Sequence, residues 1–449
     1  MGASTWLLII AAVVVACVVT TVLWRLTPRN KRFPIALAGP ASGLALFLLV
    51  QLLSHKAPVR LEKEQEDRIV QRTLAGVIAY LDGLPYATNP AIKDPFDTGM
   101  KLRKANRWEE AIATFRRALP AAKGTQLVAL YNLIGLCFST PGRLDDALAN
   151  YEKSLSLARE FKDPEGEAIA LNNIGLIHQV KGDLDAALKY HQDALKIAQE
   201  IGDRQGAASD LGNIGLIYQR KGDLDTALKY HQDALKIARE IGHQQGVSSQ
   251  LGNIGLIYQD RGNLDTALKY HQDALKIDQE IGDRQGVADG LGNIGNCYYL
   301  KGDLDAALKY HQDALKIAQE IGDRLGVAVG LGNIGNCCYL KGDLDTALKY
   351  HQDALKIDRE IGYQQGAASD LGDIGAIYQV RGELDTALSY HLNSLATYDQ
   401  IGVAYGPGQV RHNLGMLRDK MGHDRFLAAC RSKGLADPEG LIKQLEAAK

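Results

Sequence analysis

Residues 203–242 read DRQGAASDLGNIGLIYQRKGDLDTALKYHQDALKIAREIG, and this stretch returns along the chain with a period of 40 residues. Residues 181–200 and 301–320 are identical. The string LGNIG or a close variant begins, without a slip, at Leu171, Leu211, Leu251, Leu291, Leu331 and Leu371. A fixed period of this length indicates stacked units that each contact only their neighbours, so the repeat decides the fold.

Two helices are predicted within each period. Asp203 can cap a first helix, in which Leu211 and Ile214 begin an apolar face at helical spacing. Gly222 ends this helix, and Asp223 can cap a second helix that carries an apolar stripe of its own. Each unit is therefore predicted to be an antiparallel helical hairpin.

Small residues recur at fixed places in the unit, as at Gly215, Ala227 and Ala234. In this pattern the chain resembles the tetratricopeptide repeat (TPR) family. The resemblance implies an all-α solenoid of helical hairpins wound into a right-handed superhelix. It covers residues 92–434 as eight repeats and a degenerate ninth, and a capping helix is expected over 435–449 because a solenoid must cover its exposed end.

The 40-residue length, together with the strings LGN, YH and EIGD, is similar to a narrower group within that family. This group is the Leu-Gly-Asn subclass, the repeats of the LGN/Pins spindle-orientation scaffolds, and kinesin light chain is a looser relative. The resemblance implies binding of partner proteins.

The N-terminal residues differ from the repeats in composition. Residues 6–24 and 33–53 are uncharged and long enough to cross a bilayer, which predicts a two-helix membrane anchor over residues 1–54. Residues 55–91 are first charged, then apolar at helical spacing and finally rich in proline, which predicts a stalk helix and a linker.

Loop charges leave the side of the membrane open. The loop between the predicted spans carries only basic residues, which favours a cytoplasmic loop and places the repeats outside. Further basic residues follow the second span and favour the opposite orientation, as do free cysteines and the habit of the TPR family. The expected location is an integral membrane protein with the side of its repeat domain unresolved.

A second face of the first helix is free for binding. Ser209, Asn213, Leu216 and Arg220 share this face by helical spacing. The TPR resemblance implies that it lines a concave groove in which asparagines hold the main chain of an extended peptide. The corresponding ladder is Asn173, Asn213, Asn253, Asn293, Asn333, Asp373 and Asn413. The alternative is that these side chains bridge adjacent hairpins or face water.

Other groove positions change along the chain and are candidates for specificity. They are Gln219, Arg220, Gln259, Asn296, Tyr299, Asn336 and Tyr339. Aromatic residues dominate interface hot spots, so the two tyrosines are the leading candidates for anchoring a partner's side chain.

Several functional classes find no support in the sequence. The net charge is -2 and no basic stripe follows the repeats, which argues against nucleic-acid binding. The recurring histidines lie on the apolar stripe and are interpreted as packing residues, and the six cysteines lack zinc-site spacing, so no metal or cofactor is predicted. No catalytic arrangement stands apart from the repeats, so no enzyme is predicted.

The sequence therefore favours a membrane-anchored scaffold that binds a partner protein or an extended peptide in its groove. Two alternatives remain. The repeats could self-associate into a structural membrane array, or the chain could be the regulatory subunit of an enzyme encoded elsewhere.

Overall fold

The computed structural model describes residues 90–105, 107–139, 142–401 and 407–447, and these ranges hold helices and no strand. The all-α prediction is confirmed. The predicted membrane spans and the stalk up to residue 89 lie outside the described residues. Within the described ranges, no helix is both long enough and apolar enough to cross a membrane.

The helices alternate in two roles. The first helices of the hairpins are α1 (Pro90–Lys104), α3 (Thr125–Ser139), α5 (Pro164–Val180), α7 (Arg204–Arg220), α9 (Gln244–Asp260), α11 (Arg284–Lys301), α13 (Arg324–Leu340), α15 (Gln364–Arg381) and α17 (Pro407–Met421). The second helices are α2 (Trp108–Ala118), α4 (Leu144–Phe161), α6 (Leu184–Ile201), α8 (Leu224–Glu240), α10 (Leu264–Ile281), α12 (Leu304–Ile321), α14 (Leu344–Glu360), α16 (Leu384–Ile401) and α18 (His423–Ser432). A last helix, α19 (Pro438–Ala447), lies in the segment predicted to form the cap.

Local sequence sets the helix ends. The side chain of Asp203 accepts a hydrogen bond from the backbone N–H of Gly206 at 2.8 Å and so caps α7. Asp223 caps α8 in the same way through the N–H of Thr226. Between these helices Gly222 has a φ of 80°, a left-handed conformation that glycine adopts without the steric cost of a Cβ.

Close packing inside each hairpin depends on small residues. A Cβ built on Gly215 would lie 2.8 Å from the ring of His231, and Ala227 is fully buried. Closer to the turn of the same hairpin, the rings of Tyr218 and Tyr230 stack at 5.5 Å. The recurring glycine therefore has the packing role that offsets its lower helix propensity.

Neighbouring hairpins pack in a regular order. Each first helix of the central repeats contacts the second helix of its own hairpin, the second helix of the preceding hairpin and the first helix of the next. Equivalent positions on the first helices consequently lie next to one another from repeat to repeat. This arrangement turns a side chain that recurs every 40 residues into a row.

Candidate functional site

The predicted ladder lies on seven successive first helices. Asn173 is on α5, and the row continues through α7, α9, α11, α13 and α15 to Asn413 on α17. Successive first helices contact each other. The fold thus brings together residues that are 40 positions apart, as the sequence predicts, but it does not give every member of the ladder the same surroundings.

Two ladder asparagines bridge adjacent repeats. The amide nitrogen of Asn173 donates to Oδ1 of Asn132 at 3.3 Å, and that of Asn213 donates to Oδ1 of Asn172 at 3.2 Å. Asn413 instead accepts a hydrogen bond from Gln409 within its own helix. For Asn173 and Asn213, the bridging role considered from the sequence is the one that the structure shows.

The three central asparagines of the ladder differ. Asn253, Asn293 and Asn333 make no hydrogen bond to any described residue, although Asn293 and Asn333 are each only 8% exposed. Their amide atoms are not sealed from the surface. Because these amides keep access to the surface and make no hydrogen bond to a described residue, a group from outside the chain can reach them.

The loss of the bridge has a simple cause. Asn213 reaches an acceptor that lies 41 residues earlier, namely Asn172. The positions 41 residues before Asn253, Asn293 and Asn333 are occupied by Gly212, Gly252 and Gly292. Glycine has no side-chain oxygen to offer. The glycine of the LGN string therefore frees the asparagine of the following repeat.

A small cavity lies beside the freed amides. It has a volume of about 40 Å³ and is lined by Gly292, Asn293, Asn296 and His311, with Asn333 from the next first helix. That volume holds a few water molecules or one small group of a ligand. Gly252 and Gly292 also leave open space where a Cβ would stand.

Several other predicted groove residues make contacts between repeats. Gln219 donates to Asp260 at 3.1 Å, and Arg220 donates to the backbone carbonyl of Gln179 at 2.9 Å. Gln259 accepts from the thiol of Cys297 at 3.3 Å. These three predicted residues thus support the stack, while Asn296 and Asn336 are half-buried and make no hydrogen bond to a described residue.

The two predicted anchor tyrosines lie next to each other on α11 and α13. Burial, and secondarily the negative charge of Asp373, raise the pKa of Tyr339 above its usual range. The Tyr339 hydroxyl is buried and has no hydrogen-bond partner among the described residues. Tyr299 is 9% exposed, so Tyr339 is the more accessible of the pair.

The ladder position occupied by Asp373 leads to a group that sequence reasoning missed. Nδ1 of His351 lies 3.8 Å from Oδ2 of Asp373 and 3.1 Å from Oδ1 of Asp370. Both His351 and Asp370 are 1% exposed. The replacement of the ladder asparagine by an acid at position 373 was the available signal, but the residues that it meets are 3 and 22 positions away.

Four other recurring histidines are buried in packing positions. His191, His271, His311 and His391 are at most 1% exposed, and their rings lie against the recurring glycines. Burial lowers the pKa of His191 to about 3 and that of His271 to about 4, so both imidazoles are neutral near pH 7. This placement agrees with the interpretation of these histidines as packing residues.

Comparison with known families identifies the repeats. Models of the tetratricopeptide repeat match residues 128–161, 166–240, 247–320 and 286–360. The chain carries TPR repeats. The TPR matches cover the central asparagines and the glycines that free them. The narrower resemblance to the Leu-Gly-Asn subclass stays a prediction.

TPR proteins of known structure share the fold. A Rap protein complexed with competence and sporulation factor is 15% identical with a TM-score of 0.54, covering 80% of this chain and 99% of its own. The apo quorum sensor NprR from B. thuringiensis is 16% identical with a TM-score of 0.53, covering 80% and 98%. At such identities the similarity shows the fold alone. No curated protein sequence matches the chain.

Proposed function

We propose that the TPR domain is a non-enzymatic scaffold that holds an extended segment of a partner protein along its first helices. One observation carries this proposal. The amides of Asn253, Asn293 and Asn333 stand in a row at the surface of the stack and have no partner among the described residues. The asparagines on their N-terminal side are bridged, so the free amides are confined to the central repeats.

An asparagine amide suits the capture of a main chain. Its oxygen accepts from a peptide N–H while its nitrogen donates to a peptide C=O. Such contacts tolerate different sequences, so specificity has to come from neighbouring side chains. The buried hydroxyl of Tyr339 and the half-buried amides of Asn296 and Asn336 are the groups that we assign to this role.

The Rap protein with the same fold was solved in complex with competence and sporulation factor. That precedent supports a ligand of this kind on a TPR stack. The chemistry on this chain is its own, because the freed amides follow from its LGN glycines.

We also propose that residues 1–54 anchor the scaffold in a membrane as two helices, which rests on their composition alone. Parallel fusions of alkaline phosphatase and a fluorescent protein to the C-terminus test the anchor and its side. Active phosphatase places the groove outside, and fluorescence from the membrane fraction places it in the cytoplasm. Recovery of the chain in the soluble fraction would contradict the anchor.

Peptide selection tests the groove. A random peptide library displayed on phage is selected against the full-length chain, and the affinity of the best peptide is measured by fluorescence anisotropy. Replacing Asn253, Asn293 and Asn333 together by alanine removes about 3 kcal/mol of hydrogen bonding, so we expect binding about 100-fold weaker.

The matched control replaces Asn173 and Asn213 by alanine. These amides bridge repeats, so the control is expected to lower thermal stability and leave peptide affinity within about twofold. Equal affinity of the wild type and the triple variant would contradict the proposed function.

A further inference from the structure

The side chains of His351, Asp370 and Asp373 form a compact group at the junction of α14 and α15. Their nearest ligand atoms all lie within 4.8 Å of one another. We propose that this group is a binding site for one divalent transition-metal ion, with Zn²⁺ as the best match. The site does not depend on peptide binding in the groove.

Burial makes a cation favourable at this place. His351 and Asp370 are 1% exposed, and a second carboxylate, on Asp373, lies within the same few ångströms. The carboxylate of Asp370 has lost its hydration, and the nearby carboxylate of Asp373, whose side chain is 31% exposed, repels it. An ion of charge +2 in the space between them and Nδ1 offsets both costs.

The equivalent acid on α7, Asp210, has a different hydrogen-bond partner. Asp210 occupies the register of Asp370, and it accepts a hydrogen bond from the amide of Asn172 at 2.8 Å. The residue in the register of Asn172 on the helix before Asp370 is Gly332, which offers no amide. Nδ1 of His191 is also farther from Asp210, at 3.9 Å, than Nδ1 of His351 is from Asp370.

The combination of donors is unique among the repeats that carry this histidine. The triplets at equivalent positions are His191, Asp210 and Asn213; His231, Gln250 and Asn253; His271, Gly290 and Asn293; His311, Gly330 and Asn333; His351, Asp370 and Asp373; and His391, Val410 and Asn413. Only the fifth triplet offers one imidazole and two carboxylates. The first four triplets provide internal controls, because the helices around them are nearly the same in sequence.

The donor set indicates which ion fits. One imidazole nitrogen and two carboxylate oxygens suit Zn²⁺, which is bound by such ligands at about 2.0–2.2 Å. The separations of 3.1 and 3.8 Å from Nδ1 to the two oxygens bracket the spacing between neighbouring ligands of a tetrahedral ion. Three protein ligands leave one position open, and the side chain of Asp373 is 31% exposed, so that position is reachable from the surface.

Calorimetric titration with ZnCl₂ tests the site on the full-length chain, purified in detergent without a polyhistidine tag. We expect one equivalent of Zn²⁺ to bind the wild type. Asp373→Asn restores the asparagine of the other repeats, so the variant is expected to fold normally by circular dichroism and to bind Zn²⁺ at least about tenfold more weakly, since even the loss of an outer-shell partner costs that much.

A gain-of-site variant provides the converse test. Asn213→Asp combined with Asn172→Gly gives the triplet of His191 the same donors as the proposed site and removes the amide that holds Asp210, so we expect a second equivalent of Zn²⁺ to bind. Zn²⁺ is further expected to raise the melting temperature of the wild type and not that of Asp373→Asn. A wild-type chain that binds no Zn²⁺, or an Asp373→Asn variant that binds it with unchanged affinity, overturns the proposal. In either case the imidazole of His351 is only a hydrogen-bonding partner of Asp370.

Discussion

At the scale of single residues, two glycines of one helix have opposite roles although they are three positions apart. A Cβ on Gly292 would meet nothing within 4 Å, whereas a Cβ on Gly295 would lie 2.7 Å from the ring of His311. One glycine removes a hydrogen-bond acceptor from the surface, and the other lets a buried ring approach the helix.

Alanine substitution separates these roles. Gly292→Ala is expected to raise the free energy of unfolding by up to about 1 kcal/mol, because alanine is the better helix former and the added methyl group meets no atom. Gly295→Ala is expected to lower it by about 1–3 kcal/mol, because the ring of His311 must move. Denaturant titration of both variants checks the prediction, and a loss of stability in Gly292→Ala would contradict it.

The buried histidines predict how stability depends on pH. Burial holds the pKa of His271 at about 4 in the folded chain, below its value of about 6.5 when unfolded. The unfolded state therefore binds the proton first, and stability is lost as the pH falls from about 6.5 to about 4. By linkage the loss is about 3 kcal/mol for this group.

Replacement of His271 by phenylalanine isolates this contribution. The hairpin of α3 and α4 accommodates a six-membered ring here, since Tyr151 occupies the equivalent position and is 2% exposed. We expect His271→Phe to lose less stability than the wild type between pH 7 and pH 4.5, measured by denaturant titration at each pH. Parallel curves for the two proteins would count against a neutral buried imidazole.

At the scale of the helix, the sequence predicts the capping residue. The prediction that Asp203 caps a helix beginning at Arg204 is confirmed, as is the end of that helix near Gly222. Such signals act within one turn, so they survive without knowledge of the tertiary structure. In α9 the same position holds His243, whose side chain makes no capping hydrogen bond.

This difference predicts the effect of exchanging caps. Asp203→Ala removes the hydrogen bond to the N–H of Gly206 and is expected to cost about 1 kcal/mol. His243→Asp supplies a cap to α9, whose N-terminal backbone angles resemble those of α7, and is expected to gain up to about 1 kcal/mol. Thermal melting of the two variants measures both effects. A destabilised His243→Asp chain would be the contrary result.

At the scale of the whole stack, the sequence predicts the repeat and not the differences between repeats. The 40-residue period and the row of asparagines follow from spacing. Which asparagine is free depends on a contact 41 residues away, and the neighbours of Asp373 depend on packing between α14 and α15. The periodicity of the sequence does not show either contact, because each forms between residues of neighbouring hairpins.

The same stacking makes nearly identical units act differently. Exposed ion pairs such as Lys301 with Asp265 recur along the stack and link each hairpin to the one before. Because these ion pairs recur, they do not distinguish one repeat from another, and each contributes at most about 1 kcal/mol to stability. The functional differences come instead from few positions, where glycine replaces asparagine or aspartate replaces asparagine.

If the LGN glycines free the amides that bind a partner, then giving those positions a side-chain acceptor must weaken binding. Gly252→Asn with Gly292→Asn restores acceptors for Asn293 and Asn333 without removing any amide, and Gly252→Ala with Gly292→Ala adds similar bulk at the backbone without an acceptor. Affinity for the selected peptide is measured by fluorescence anisotropy on both full-length variants. We expect at least about tenfold weaker binding for the asparagine pair and near wild-type binding for the alanine pair. Unchanged affinity in the asparagine pair would contradict it.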